Sequence, residues 1–174
     1  MKITILSINH GEQNVVLKDE VAIPEIRKTK ENIAALIRKT VAEKNVDLIC
    51  EESDPCHLSI AQNIAFEHNP RIPWLNISMT SQERLEAGIW EALLYRPCDF
   101  DPKTGIGIDI RVPEDEIREE FFKAEILGMA KGTGATSVLV LCGDMHTEAL
   151  RLELEEAGHE VKTDHSLTPA KRWK

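Results

Sequence analysis

The sequence predicts an α/β fold: a mainly parallel sheet with helices on both faces, forming a single layered-sandwich domain over residues 1–174. Three observations predict it. Short apolar, β-branched runs at 2–8, 46–50 and 137–142 stand between segments whose apolar residues recur at helical spacing. Strands that alternate with helices assemble into parallel sheets covered on both sides. No repeat, low-complexity stretch or linker divides the chain into two cores.

The elements follow in order. Residues 2–8 form a short buried strand ending at Asn9-His10-Gly11, and 15–23 is mixed, suited to a hairpin arm or an extended loop. Pro24 suits the first turn of a helix. Ile26, Ile33, Ala34, Leu36, Ile37 and Val41 then carry an amphipathic helix to about Lys44. A second buried strand, 46–50, runs into Glu51-Glu52-Ser53-Asp54-Pro55, and 58–67 is a short helix. Pro70 and Pro73 mark a turn before a third strand at 74–79. Thr80-Ser81-Gln82-Glu83 resembles a capping box and opens a helix expected to reach about Tyr95. Pro, Gly and Asp punctuate 97–113, which is expected to be one irregular loop, a lid or binding segment. Acidic Glu114-Asp115-Glu116 favours a helix start. That helix is expected to turn Ile117, Phe121, Phe122, Ile126 and Met129 to the core and to stop near Gly132-Thr133-Gly134. Residues 137–142 are the clearest strand, 147–157 a helix stopped by Gly158, and 159–163 an edge strand.

Composition narrows the function classes. A chain that is 42% hydrophobic and 29% charged is ordinary for a globular protein. No apolar run is long enough to span a bilayer. Met1–Leu6 is too short an apolar stretch for a signal peptide and lacks a small-residue cleavage site. A cytoplasmic, reducing location with free thiols is therefore expected for Cys50, Cys56, Cys98 and Cys142. There is no CxxC spacing for a zinc ribbon. A formal net charge of −9, without a basic stripe, argues against nucleic acid as a partner. P-loop, GxGxxG and GxSxG signatures are absent.

Ligands of open parallel sheets bind where the strands end at their carboxyl side. The residues that follow the strands are His10 after the first, Glu51, Glu52 and Asp54 after the second, and Gly143, Asp144 and His146 after the strand at 137–142. Two imidazoles and a carboxylate suit a divalent metal, Mn²⁺ or Zn²⁺, with His10, Glu52 and His146 as the ligand set. The same groups also suit metal-free chemistry, a carboxylate orienting a histidine that deprotonates water. Because Glu51 and Glu52 are adjacent, only one is expected to face the crevice while the chain stays extended. Each residue also has a plainer role available. Gly143 would satisfy a turn requiring positive φ, Asp144 or Thr147 would cap the following helix, and Arg118 would pair on the surface with Glu114.

The motifs resemble those of the superfamily that contains TIKI proteases, TraB/PrgY proteins, ChaN-like haem-binding proteins and erythromycin esterases. The resemblance rests on Ser7-Ile8-Asn9-His10, with Ser7 where the family has glycine, on Glu51-Glu52, on Arg118-Glu119 within 117–122, and on Gly143-Asp144-Met145-His146. It runs along nearly the whole chain, which lacks the large helical insertions of familiar members. It implies a metal-dependent or histidine-assisted hydrolase of peptide, amide or ester bonds. His10 would be ligand or general base, Glu51 or Glu52 its carboxylate partner, and His146 the second ligand. Arg118 would bind a substrate carboxylate or an oxyanion, with Asp144 beside it. The implied partner is a small-molecule or peptide substrate. A non-catalytic module that binds a small ligand or haem is the alternative; haem ranks lower, since Tyr95 is the only tyrosine and falls in an expected helix. A homo-oligomer joined through 97–113 and Trp90 is a third reading.

Overall fold

The structure is a computed structural model that describes residues 1–8, 24–53, 58–89, 98–100, 107–109 and 111–167. The described elements run β1 (Lys2–Ile8), α1 (Pro24–Lys44), β2 (Leu48–Glu51), α2 (Ile60–Glu67), β3 (Trp74–Asn76), α3 (Ser81–Glu86), β4 (Cys98–Phe100), β5 (Gly107–Asp109), α4 (Pro113–Thr133), β6 (Ser137–Gly143), α5 (Asp144–Glu156) and β7 (Glu160–Asp164). Five strands form a parallel sheet in the order β3-β2-β6-β1-β7. The α/β class and the parallel sheet with helices on both faces are as the sequence predicts.

Period-two alternation along the strands divides the interior into two layers. Leu6 and Ile8 of β1, Ile49 of β2, and Leu139 and Leu141 of β6 pack with Ile33, Ile37 and Val41 of α1 and with Ile60 and Ile64 of α2. Ile3 and Ile5, Leu48 and Cys50, and Val138, Val140 and Cys142 point the other way, onto Phe122, Ile126 and Ala130 of α4 and Leu150 and Leu154 of α5. Strands buried on both faces have no polar side to show, hence the continuous apolar runs in the sequence.

β6 lies between β1 and β2, so the carboxyl ends of β2 and β6 meet side by side, while Ile8 at the end of β1 is in register with Gly143. Asp47 fastens the opposite end of the β2–β6 pair. Its carboxylate accepts from the Thr136 N–H at 2.9 Å, the Thr136 hydroxyl at 2.9 Å and the Ser137 N–H at 3.0 Å. Burial pushes this carboxyl up, but the donors outweigh it and hold it below the usual aspartate value.

Several expectations are corrected. The helix that opens with the Thr80–Glu83 capping box ends at Glu86, with Gly88 at φ +77° beyond it, and residues 90–97 lie outside the described set. The segment 97–113 is not wholly irregular: β4 and β5 pair antiparallel, Cys98 opposite Asp109. Three-residue strands are too short to show a period among Pro and Gly. β3 stops at Asn76, although Ile77 and Met79 beyond it are buried. α5 begins at Asp144, three residues earlier than expected. On α4 the buried face is Asp115, Glu119, Phe122, Ile126 and Ala130, while Ile117, expected in the core, is 37% exposed. The arm expected at 15–23 lies outside the described residues, as do Trp90 and Tyr95. No helix among the described residues is long and apolar enough to cross a membrane.

The two isoleucines of α4 provide a test of its orientation. Ile126→Ala is expected to lower stability by about 3 kcal/mol through lost burial and a residual cavity, and Ile117→Ala by less than about 1 kcal/mol. Urea denaturation of both variants measures this; equal losses would mean that α4 presents another face.

Candidate functional site

At the end of β2 the alternation separates the two glutamates. Glu51 continues the Ile49 side toward α2, where its Oε2 accepts from the Ser59 hydroxyl at 2.5 Å and from the Trp74 indole N–H at 2.9 Å. Ser59 is also the N-cap of α2, its hydroxyl oxygen accepting from the Gln62 N–H at 2.9 Å. Glu51 thus ties the start of α2 and strand β3 to β2.

Glu52 turns to the α4–α5 side. Its Oε2 accepts from the Gly143 N–H at 3.0 Å, and its Oε1 accepts from the Arg118 guanidinium. Arg118 is therefore not simply a surface partner of Glu114: it crosses from α4 to the sheet, with its side chain 18% exposed. It also lies over the Phe122 ring, 5.7 Å from the centroid, and places Nη1 3.8 Å from Asp115 Oδ1. Gly143 has φ −58°, so no turn with positive φ is required of it. It is the residue before the first turn of α5, and its N–H, left without an intrahelical acceptor, is satisfied by Glu52.

His146 stands in the first turn of α5, 2% exposed, with its ring edge-on to Phe122 at 5.5 Å between centroids and 85° between planes. Its Nδ1 is 2.8 Å from Glu119 Oε1. A carboxylate accepts, so Nδ1 carries a proton, and in the neutral ring it is then Nε2 that holds the lone pair. Nε2 looks toward Glu52 Oε1 at 3.9 Å and Asp115 Oδ1 at 4.0 Å. Asp115 Oδ2 is committed to the Val112 N–H at 3.0 Å, which fixes the start of α4. Glu119, fully buried, also receives both ends of the Arg111 guanidinium, one of them at 2.7 Å. That carboxylate strengthens the hold of Arg111 on its proton, raising it above the usual arginine value against the opposing effect of burial.

The structure therefore gathers Glu52, Arg118 and His146 from the expected set and adds Asp115, Glu119 and Arg111. Among the described residues, three buried carboxyl groups and two guanidinium groups surround the imidazole. Glu51 stands on the other face of the sheet, Asp144 is half-buried in the same helical turn as His146, and His10 lies outside the described residues, as do Asp54, Cys56 and His57. Thr147, considered as a cap, is instead buried within α5, donating its hydroxyl to Gly143 O at 3.2 Å. The sequence holds a signal for the additional acids, since Asp115 and Glu119 continue the Phe122–Ile126–Ala130 face of α4 by helical spacing; but acidic charge at 114–116 suits a helix start in any case, and Glu119 enters the resemblance only as the neighbour of Arg118.

Among the described residues no group of three or more His, Cys, Asp or Glu is arranged to hold a metal ion. Of the expected ligand set, Glu52 accepts from Arg118 at Oε1 and from the Gly143 N–H at Oε2. Cys50 and Cys142 are free and buried. Burial pushes the Cys50 thiol up to about 12. Burial and then the Glu52 charge push Cys142 up as well, so neither is poised as a thiolate nucleophile.

These features define a class: a parallel α/β domain with a buried histidine–carboxylate–arginine centre where β2 and β6 end. Comparison of the chain with protein-family models, with curated proteins and with solved structures gives no match. The superfamily resemblance accordingly stands on its motif residues alone.

Arg118→Met is expected to cost about 3 kcal/mol by leaving Glu52 buried without its cation, and adding Glu52→Gln should recover much of that loss. Denaturant titration of the single and double variants reads the coupling, and additive losses would disprove it. In native protein at pH 8, Cys50 and Cys142 should resist iodoacetamide and react only after unfolding, as peptide mass mapping can check; rapid native alkylation of either would contradict the burial.

Proposed function

We propose that the chain is a hydrolase of peptide, amide or ester bonds in which His146 is the general base, oriented by Glu119. The observation that carries this reading is the 2.8 Å contact between Nδ1 and Glu119, which leaves Nε2 facing a polar centre at the carboxyl ends of β2 and β6. A carboxylate that fixes the tautomer and supports the imidazolium is the recurrent partner of a histidine base. In the proposed step, Nε2 takes a proton from water as the water oxygen bonds to the substrate carbonyl carbon. The imidazolium then returns that proton to the leaving nitrogen or oxygen as the scissile bond breaks. Arg118, whose planar fork matches an oxyanion or a carboxylate, would stabilise the charge that develops on the carbonyl oxygen. Asp115, 4.0 Å from Nε2, and Glu119 at Nδ1 would stabilise the transient imidazolium, the charge of Glu52 being met by Arg118.

The competing version holds Mn²⁺ or Zn²⁺ through His10, Glu52 and His146. The existing Arg118–Glu52 pair favours the metal-free version, because a metal at Glu52 Oε1 would have to displace a guanidinium. A second reading, binding of a small ligand without turnover, draws on the near-complete burial of Glu119 and His146.

A panel of p-nitrophenyl esters and aminoacyl p-nitroanilides, with metal content measured on protein purified without chelators, tests these readings. The parent protein should turn over at least one substrate class, and His146→Ala should lose about 100-fold or more in kcat. Unchanged turnover in His146→Ala would overturn the proposal. Stoichiometric metal that is required for turnover would favour the metal version instead.

A further inference from the structure

We propose that Arg111 is a positioning residue for this centre: by gripping both oxygens of Glu119 it fixes the carboxylate that orients the His146 imidazole. The inference deepens the hydrolase reading and rests on it for its catalytic consequence, though not for its structural one. Arg111 lies two residues before Pro113, where α4 starts, and follows the β4–β5 pair closely in the chain. Its side chain is 41% exposed, whereas Glu119 is completely buried. One end of the guanidinium donates to Oε1 at 2.7 Å and the other donates to Oε2, the two-pronged geometry that a planar fork permits and an ammonium does not.

Oε1 is shared. It accepts from Arg111 and stands 2.8 Å from His146 Nδ1, so rotation of the Glu119 carboxylate would break both contacts together. A lone carboxylate has two equivalent oxygens and a soft terminal torsion; the fork removes that freedom. The anchoring continues through the backbone, since Asp115 Oδ2 binds the N–H of Val112, the residue after Arg111. Arg111 therefore enters the site from a fixed turn.

Among the described residues, the other charged groups that approach His146 are Glu52 at the end of β2 and Asp115 on α4, with Arg118 of α4 paired to Glu52 and Asp144 in the same helical turn as His146. Glu52 and Arg118 neutralise one another. Loss of Arg111 would thus leave Glu119 as an uncompensated buried charge directly against the ring.

The test compares the parent protein with Arg111→Ala and Arg111→Lys, by ring ¹⁵N spectroscopy of His146 at neutral pH, the signal assigned by its loss in His146→Gln. The parent should show a single form with the proton on Nδ1. Arg111→Ala should replace it with a mixture of tautomers or with the doubly protonated ring, and Arg111→Lys, which keeps the charge and loses the fork, should lie between. An unchanged Nδ1–H signature in folded Arg111→Ala would overturn the inference. Should the alanine variant not fold, Arg111→Lys decides, because a parent-like signature there would remove any need for the fork. With a hydrolysed p-nitrophenyl ester in hand, Arg111→Ala should lower kcat about tenfold with KM within about twofold, as expected of a misplaced base. The ¹⁵N result is independent of turnover, so a shifted signature in a protein whose hydrolysis ignores His146→Ala would retain Arg111 as an organiser and discard the hydrolase.

Discussion

The carboxylate of Glu52 joins three elements that are distant in sequence: it extends from the end of β2, accepts the Gly143 N–H at the end of β6 and receives Arg118 from α4. A carboxylate taken out of water costs several kcal/mol unless it is paired and hydrogen-bonded. That constraint dictates much of the architecture on this side of the sheet. α4 must bring a guanidinium to the strand ends, and β6 must end in a residue whose N–H is free to point at Glu52. A parallel sheet with helical crossovers meets both demands, since helix starts and strand ends converge at one rim.

The same constraint shapes α4. Its second half buries Phe122, Ile126 and Ala130 against the sheet, and its first half carries the same face onward with Asp115 and Glu119. Apolar packing on the later turns sets the position of the helix, and the acidic turns then meet His146 of α5 and the guanidinium groups of Arg111 and Arg118. Stability and chemistry share one surface. The helix cannot be rotated to release the acids without also withdrawing Phe122 from the core.

Much of this was legible in the residues. The strands 2–8 and 137–142 and the helix from Pro24 to Lys44 announce themselves, because burial on one face of a helix or both faces of a strand leaves a strong period. The adjacency of Glu51 and Glu52 fixed their divergence to opposite faces. Sequence spacing could not say which of them meets His146, since that depends on which side α4 and α5 occupy. Nor could it reveal that Arg118 reaches across sixty-six residues of chain to Glu52, or that Arg111 reaches Glu119. Long-range ion pairs leave no periodic trace. The short β4–β5 pair escaped notice for a different reason: its strands have only three residues each.

The insertion of β6 between β1 and β2 bears on how the chain can come into being. Until residues 137–143 are made, β1 and β2 have no strand between them to join them into one sheet, although α1, α2, β3 and α4 precede β6 in the chain and can already cover apolar surface of the early strands. Closure of the sheet waits for a late segment, so the protein is built around its own keystone rather than outward from its beginning. Central strand pairings that join distant parts of the sequence slow folding and lengthen exposure to premature association while the chain is being made.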